Sequence, residues 1–240
     1  MGIRFFLTAT LLLSSIIPVE RAISGEISLS KNIVYFDKNE SKRDVVYVNA
    51  LSKNQNVYFK TVVREVLEPQ KELKSTYAEL SNPEELGLFV TPNKAIITPS
   101  EGREHISIVN INQNLEEERI YRIDVSPVIP PLSPENDHQG RLKILMGYDI
   151  LVFVQPDNPK MDYEYSFEGN KFYFHNTGNT HITLTNGKQC DSRGGCKSID
   201  EGIVYHDSVV SSSLLPETVS VSYDITLRGV SKEHVTFEKK

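Results

Sequence analysis

The chain of 240 residues lacks tryptophan and has only two cysteines. Two cysteines are too few for a disulfide-rich miniature scaffold, and no Cys-x-x-Cys pair indicates a zinc site. The 26 lysines and arginines are outnumbered by 32 aspartates and glutamates, which gives a formal net charge of -6. This balance argues against nucleic acid and anionic membranes as partners. The composition therefore favours an acidic globular protein with at most one disulfide.

Only one long apolar run is present, from Phe5 to Ile17 after Arg4. It is shorter than the ~20 residues that a membrane-spanning helix needs. Because Pro18 and small residues follow it, the run predicts a secretory signal peptide over residues 1–25. Export without stable membrane insertion is expected, and a retained N-terminal anchor is the alternative.

Short segments rich in β-branched and aromatic residues recur along the rest of the chain. Such segments, bounded by Gly, Pro, Asn, Asp or Ser, are typical of strands. Seven of them predict an immunoglobulin-like sandwich: Ile27 to Phe36, Val45 to Ala50, Val57 to Leu67, Leu88 to Thr98, His105 to Ile111, Ile120 to Ile129 and Leu142 to Val154. Only Ser81 to Leu86 predicts a short helix, with Ser81 as its N-cap.

A second, smaller sandwich is predicted after the prolines at 156 and 159, which cannot donate hydrogen bonds to a sheet. Its predicted strands are Tyr163 to Phe167, Lys171 to His175, His181 to Thr185, Ile203 to Tyr205, Ser208 to Leu214, Val219 to Leu227 and His234 to Phe237. Gly169-Asn170 favours a hairpin turn between the first two. We therefore expect an all-β protein with an N-terminal domain over 26–155 and a C-terminal domain over 156–240.

No arrangement of residues indicates catalysis. His206, Asp207 and Ser208 are the residue types of a hydrolytic triad, but adjacent strand residues point to opposite faces and cannot converge. The six histidines are scattered without the spacing of a helical metal site. Glu116 to Glu118 is interpreted as a solvated loop before a strand. The sequence thus predicts no enzyme, no metal and no cofactor.

Cys190 and Cys196 flank a turn that contains two glycines. Such a turn lets the two Cβ atoms approach, and an exported protein allows the thiols to oxidise. A structural disulfide is the favoured interpretation. A redox-active pair is disfavoured because no activating basic group is apparent.

The last strand predicted before residue 155 is unusually long and begins with an apolar row. Leu142, Ile144 and Met146 share one face, while Lys143 and Gly147 lie on the other. An exposed apolar row is an aggregation hazard unless it docks an extended partner. The alternative is that the row completes the core of the first domain, and the pattern alone does not separate the two.

Four stretches together resemble the periplasmic pilus-assembly chaperones of the chaperone-usher pathway, the PapD-like family. They are Leu88-Phe89-Val90-Thr91-Pro92 with Ile96-Ile97-Thr98-Pro99, Glu118 to Ile123 with Val128-Ile129-Pro130-Pro131, Phe153-Val154-Gln155-Pro156, and Asn176-Thr177-Gly178-Asn179 with the downstream cysteines. The last stretch is similar to the alternate branch that assembles α-type fimbriae. The resemblance extends in order over nearly the whole chain after residue 25.

The resemblance implies two immunoglobulin-like domains in a boomerang arrangement, with no catalytic activity. It also implies a periplasmic protein that holds pilus subunits and delivers them to an outer-membrane usher. The long strand of the first domain would fill the open groove of a subunit through Leu142, Ile144 and Met146, the same residues as the apolar row. Two other functions are kept open, a pilus subunit or adhesin and a secreted β-sandwich hydrolase or binding domain.

One element of the family pattern is missing. Better-known members bind the C-terminal carboxylate of the subunit with two basic residues, and the matching positions here are Ile33 and Leu151. Substitute anchors predicted from the sequence are Lys31, Arg122 and Lys143. For each of them, an ordinary solvated or structural role is the alternative.

Overall fold

A computed structural model of the chain describes residues 26–38, 41–69, 77–78, 82–128 and 145–239. Over these residues the chain consists mainly of β-strands and the loops that join them. The predicted signal peptide over residues 1–25 lies outside the described residues. Within the ranges given, no helix combines the length and the apolar character needed to cross a membrane.

The first ten strands form two sheets that enclose one hydrophobic core. In chain order they are β1 (Ile27–Leu29), β2 (Ile33–Phe36), β3 (Arg43–Ala50), β4 (Val57–Val66), β5 (Tyr77–Ala78), β6 (Leu88–Thr91), β7 (Lys94–Ile97), β8 (Arg103–Asn110), β9 (Arg119–Val128) and β10 (Tyr148–Val154). One sheet has the order β1-β3-β8-β6, and the other has the order β2-β10-β9-β4-β5 with β7 also paired to β4. Because side chains alternate along a strand, Val46, Ile106, Ile123 and Val152 point inward and are buried. The predicted first sandwich is confirmed.

Two segments that were predicted as single strands are each divided between the sheets. For Ile27 to Phe36 the prediction is wrong, because β1 pairs with β3 in one sheet and β2 pairs with β10 in the other. For Leu88 to Thr98 it is also wrong, because β6 pairs with β8 whereas β7 pairs with β4. Pro92, which follows a cis peptide bond, separates β6 from β7 and has no N–H for a ladder.

The helix among the described residues is a single turn, α1 (Pro83–Leu86). Asn82 caps it, since its Oδ1 accepts a hydrogen bond of 3.0 Å from the N–H of Glu84. The prediction of Ser81 as the cap is therefore wrong, and Ser81 itself lies outside the described residues. Gly87 ends the helix with φ of +74°, a left-handed conformation that favours glycine.

Strand β10 is shorter than the predicted strand from Leu142 to Val154. It begins at Tyr148, and residues 145–147 precede it without strand pairing. Leu142, Lys143 and Ile144 lie outside the described residues. β10 pairs with β9 over its whole length, but its parallel pairing with β2 starts only at Leu151.

The remaining strands form a second sandwich around a second core. They are β11 (Tyr163–Glu168), β12 (Lys171–Asn176), β13 (Ile182–Asp191), β14 (Cys196–Ser198), β15 (Gly202–Val204), β16 (Val209–Ser213), β17 (Thr218–Leu227) and β18 (Ser231–Glu238). The sheets have the orders β11-β12-β16 and β14-β13-β17-β18, with β15 also paired to β13. Phe172, Phe174, Tyr223 and Phe237 are buried between them. Aromatic packing thus dominates this core, and the predicted second sandwich is confirmed.

Two local predictions in the second sandwich are confirmed. Gly169-Asn170 is the turn between β11 and β12, with Glu168 opposite Lys171. Cys190 and Cys196 form a disulfide between β13 and β14, where they are directly opposite each other. β14 was not predicted, because its short sequence is exposed and polar and carries no alternating pattern.

Candidate binding cleft

The two sandwiches meet through a third, smaller hydrophobic cluster. Its members lie on the outward face of the β2-β10-β9-β4 sheet and on β15 and the residue after it: Val66, Ile120, Phe153, Tyr35, Leu151, Ile203 and Tyr205. Phe153 is the centre of this cluster, stacked 5.3 Å from the ring of Tyr35 and only 1% exposed. Val152 and Val154 point into the first core. Strand β10 therefore packs into that core with one face and into the junction between the sandwiches with the other.

A buried acid and histidine lie beside this cluster. Glu118 Oε1 is 2.6 Å from His181 Nδ1, and the side chains are only 2% and 5% exposed. The other oxygen of Glu118 accepts the backbone N–H of His181 at 3.0 Å. The ring of His181 lies 4.3 Å from that of Phe153. The interpretation of Glu118 as a solvated loop residue is therefore wrong, although it holds for the exposed side chain of Glu117.

Further polar contacts join the sandwiches near residue 155. Arg228, after β17, places its guanidinium 4.0 Å from the ring centre of Tyr35 and donates to Asp37 at 2.9 Å. Gln155 donates to the backbone carbonyl of Arg228 at 3.0 Å. Hydrogen bonds, an ion pair and stacked rings thus fix the junction next to the prolines at 156 and 159.

Beyond the junction, the outward face of the same sheet carries charged side chains that are half-buried or exposed. One row across it runs from Ile33 on β2 through Leu151 on β10 and Arg122 on β9 to Arg64 on β4, each paired with the next. The resemblance expects basic residues at positions 33 and 151. These two positions therefore lie in the same row as two arginines. We call the part of this outward face that begins with the row and extends away from the junction the cleft face.

The structure separates the predicted anchor residues. Arg122 lies on the cleft face, and its Nη1 donates to Asp149 Oδ2 at 3.0 Å. Lys31 lies between β1 and β2, where its Nζ is 2.6 Å from both carboxylate oxygens of Asp44 on β3. Lys143 lies outside the described residues. Only Arg122 of the three is thus placed in the row by the structure.

The apolar row predicted before β10 is represented among the described residues by Met146. Its side chain is 43% exposed, whereas Ile150, four residues later, is fully buried in the first core. Leu142 and Ile144 lie outside the described residues.

Among the described residues, the histidines near position 206 contact separate groups and do not converge. His206 Nδ1 contacts the carbonyl of Gly178, whereas Asp207 contacts His175 at 3.1 Å. Ser208 Oγ donates to the backbone carbonyl of His206 at 3.3 Å. In the described ranges, no three His, Cys, Asp or Glu side chains converge as a metal site requires.

Sequence reasoning missed Arg64 and the partners Glu118 and His181. Arg64 occupies an outward position of β4, and the alternation Val57, Phe59, Thr61, Val63 would have placed it on the outer face. Its proximity to Arg122 depends on the strand order, which no local pattern contains. The burial of Glu118 likewise depends on contact between segments 63 residues apart.

No protein-family model matches the sequence, and no curated protein has a similar sequence. Solved structures, however, share its fold. The class 5 fimbriae chaperone CfaA has a TM-score of 0.67 at 19% identity, and the match covers 89% of this chain and 99% of that one.

Two further solved structures extend the comparison. A chain from a chaperone and tip-adhesin complex of CFA/I fimbriae biogenesis has a TM-score of 0.66 at 19% identity, covering 89% of this chain and 98% of that one. A structure of Salmonella enterica SafA pilin in complex with the SafB chaperone gives a TM-score of 0.56 at 11% identity, covering 90% and 97%. The chain therefore has the fold of fimbrial chaperones, and each match covers nearly the whole length of this chain and of the compared chain.

Proposed function

We propose that the chain is a non-enzymatic periplasmic chaperone of the PapD-like family, which holds pilus subunits and delivers them to an outer-membrane usher. The shared fold supports this function, and so do the four sequence stretches that resemble the family. Its domains are 26–155, which binds the subunit, and 156–240. The separate cores of the two sandwiches support that division.

The observation that carries the proposal is the state of β10 before Leu151. Tyr148, Asp149 and Ile150 pair with β9 on one side, and among the described residues no strand pairs with their other side. An open strand edge offers N–H and C=O groups to an extended segment of a partner. The open edge of β10 therefore supports strand donation as the mode of binding.

The row Leu142, Ile144 and Met146 supplies the side chains in this proposal. The exposure of the Met146 side chain supports a role for this row outside the first core. The three side chains would enter the groove of a subunit. Each would contribute about 1.5 to 3 kcal/mol by burial, less the cost of ordering.

Arg122 is the favoured anchor for the subunit's C-terminal carboxylate. It lies beside Leu151 on the cleft face, and Arg64 lies on its other side. A guanidinium can hold a carboxylate by two parallel hydrogen bonds. A subunit carboxylate bound in this way would compete with Asp149 for the guanidinium of Arg122. Lys31 and Lys143 remain secondary candidates.

The periplasm is the proposed compartment. The predicted signal peptide over 1–25 would export the chain, and the disulfide between Cys190 and Cys196 forms readily in an oxidising compartment.

The test is co-expression with each pilus subunit encoded in the same genome, with an affinity tag on the subunit. We expect one subunit to retain the chain in the periplasmic fraction. Ile144→Asp should abolish retention, while its circular dichroism and melting temperature stay those of the wild type. Retention by no subunit would refute the function, and unfolding of Ile144→Asp would show that the row belongs to the chaperone's own core.

A further inference from the structure

The cleft face carries three cross-strand pairs in which the two charges have the same sign. They are Arg64 with Arg122, Asp124 with Asp149, and Lys60 with Lys94. All six positions alternate with residues of the first core, so their side chains point away from it. We call this set the charge ladder.

Like charges directly opposite each other destabilise a sheet. The charge ladder compensates part of this cost internally, since Arg122 contacts Asp149 at 3.0 Å and the hydroxyl of Ser126 contacts Asp124. Lys60 and Lys94 are both exposed, and in the described part of the chain neither makes an ion pair. Among the described residues, no ion pair therefore offsets the repulsion between these two lysines.

The signs of the charge ladder alternate along the strands. Strands β9 and β4 are paired, and Arg122 lies opposite Arg64. Two residues along β9 from Arg122 lies Asp124. One further step of two residues away from the junction reaches Lys60 on β4. Steps of two residues in a strand are roughly 6.6 Å apart, and any extended segment has the same spacing between side chains on one face. The order of charge is positive, negative, positive, starting from the junction.

We propose that the charge ladder selects the bound pilus subunit by an extended surface segment with acidic, basic and acidic side chains at every second residue. The acidic side chains would lie opposite the arginines and the lysines, and the basic one opposite Asp124 and Asp149. This inference rests on the proposed function, and it adds the chemistry of the subunit surface that the cleft accepts. The charge ladder is continuous with the open edge of β10, because Asp149 belongs to both.

The alternation of charge along the charge ladder also favours a segment of mixed charge over partners that carry charge of only one sign. A nucleic acid or an anionic lipid surface presents negative charge throughout, and the carboxylates of Asp124 and Asp149 would repel it. A polycation would be repelled at both ends. Only a partner of mixed charge matches all three rows, and charge complementarity of this kind contributes to specificity.

The experiment uses the subunit retained in the co-expression test. The double variant Lys60→Glu/Lys94→Glu is compared with Lys171→Glu/Lys197→Glu, which makes the same change of net charge at exposed positions of the second sandwich. We expect the first variant to bind the subunit at least tenfold more weakly at about 50 mM NaCl, and the second to bind like the wild type. At about 500 mM NaCl the difference should shrink, because salt screens exposed charges.

A zero-length carbodiimide cross-linker supplies an independent readout. It should join Lys60 or Lys94 to acidic residues of the subunit, and mass spectrometry should find those residues in the predicted alternation. Equal affinity of both double variants for the subunit would overturn the charge ladder while leaving the chaperone function intact. If the wild type retains no subunit, the proposed function fails and this inference fails with it.

Discussion

The carboxylate of Glu118 and the imidazole of His181 lie 2.6 Å apart at the junction of the two sandwiches, almost fully buried. Glu118 also accepts hydrogen bonds from the Thr180 hydroxyl at 2.9 Å and from the backbone N–H of His181 at 3.0 Å. Three donors from one segment of the second sandwich therefore converge on a single carboxylate of the first. This contact links the start of β9 to the start of β13.

Removing this carboxylate should destabilise the protein strongly. A buried pair that loses one partner leaves polar groups without compensation, so Glu118→Ala should lower the free energy of unfolding by about 3 kcal/mol. The neighbouring Glu117→Ala is the matched control and should change it by less than about 0.5 kcal/mol, because that side chain is exposed. Urea denaturation followed by circular dichroism measures both. Coinciding unfolding curves for the two variants would contradict the role given to Glu118.

Substitutions of Met146 and Ile150 should differ in their effect on stability. Met146→Asp adds a charge at an exposed position, so its stability should stay within about 0.5 kcal/mol of the wild type while subunit retention falls. Ile150→Ala removes buried volume from the first core and should cost about 2 to 5 kcal/mol. Thermal melts and the co-expression assay are the two measurements. A Met146→Asp variant that melts like Ile150→Ala would place Met146 in the core of the first sandwich.

Loss of the disulfide should affect the second sandwich first. The bond closes a loop of about seven residues, which in the chain-entropy model stabilises by about 2 kcal/mol. In Cys190→Ser/Cys196→Ser, hydrogen exchange should accelerate in β13 and β17 more than in β3 and β8. Equal acceleration in both sandwiches would contradict the division into two domains.

The pH dependence of the second sandwich should reflect Asp224 on β17. Hydrogen bonds from Asn186 and His234 lower the pKa of Asp224 to about 2, from an ordinary value of 3.8. A carboxylate whose pKa is lower in the folded state stabilises the fold above its ordinary pKa, and this stability is lost as the pH falls through the folded value. The melting temperature of the wild type should therefore drop between about pH 4 and about pH 2.

The matched variants for this titration are Asp224→Asn and Asp207→Asn, since the Asp207 side chain is 77% exposed. Asp224→Asn should have a lower melting temperature at neutral pH and a shallower acid slope, while Asp207→Asn should follow the wild type. Parallel slopes for all three proteins would show that other carboxylates govern the acid transition.

Much of the fold follows from local sequence. Strands such as β4 and β9 have clear alternation of buried and exposed residues, and the Gly169-Asn170 turn and the disulfide are determined within a few residues of chain. Between β1 and β2, and between β6 and β7, polar residues and Pro92 interrupt the hydrophobic pattern where the chain changes sheets. The sheet that each half joins depends on its pairing partner, which single-sequence patterns do not contain.

The candidate site was predicted less completely. The row of Leu142, Ile144 and Met146 comes from periodicity and from the family resemblance, and only its last member lies among the described residues. Arg122 was found from its strand, but Arg64 and the charge ladder appear only when β4, β9 and β10 are placed side by side. Residues that act together across strands are separated in sequence by loops of unrelated composition, so their cooperation is visible only in three dimensions.

Paired like charges on an exposed sheet also bear on attempts to engineer this protein. Lys94 and Asp124 each lie opposite a residue of the same charge, so removing either charge would reduce repulsion. Both are therefore obvious positions for substitutions intended to raise thermal stability. Under the proposed role of the charge ladder, the resulting variant would be more stable to heat but would discriminate less well among pilus subunits. Thermal stability and binding specificity would then depend on the same few side chains, with opposite requirements.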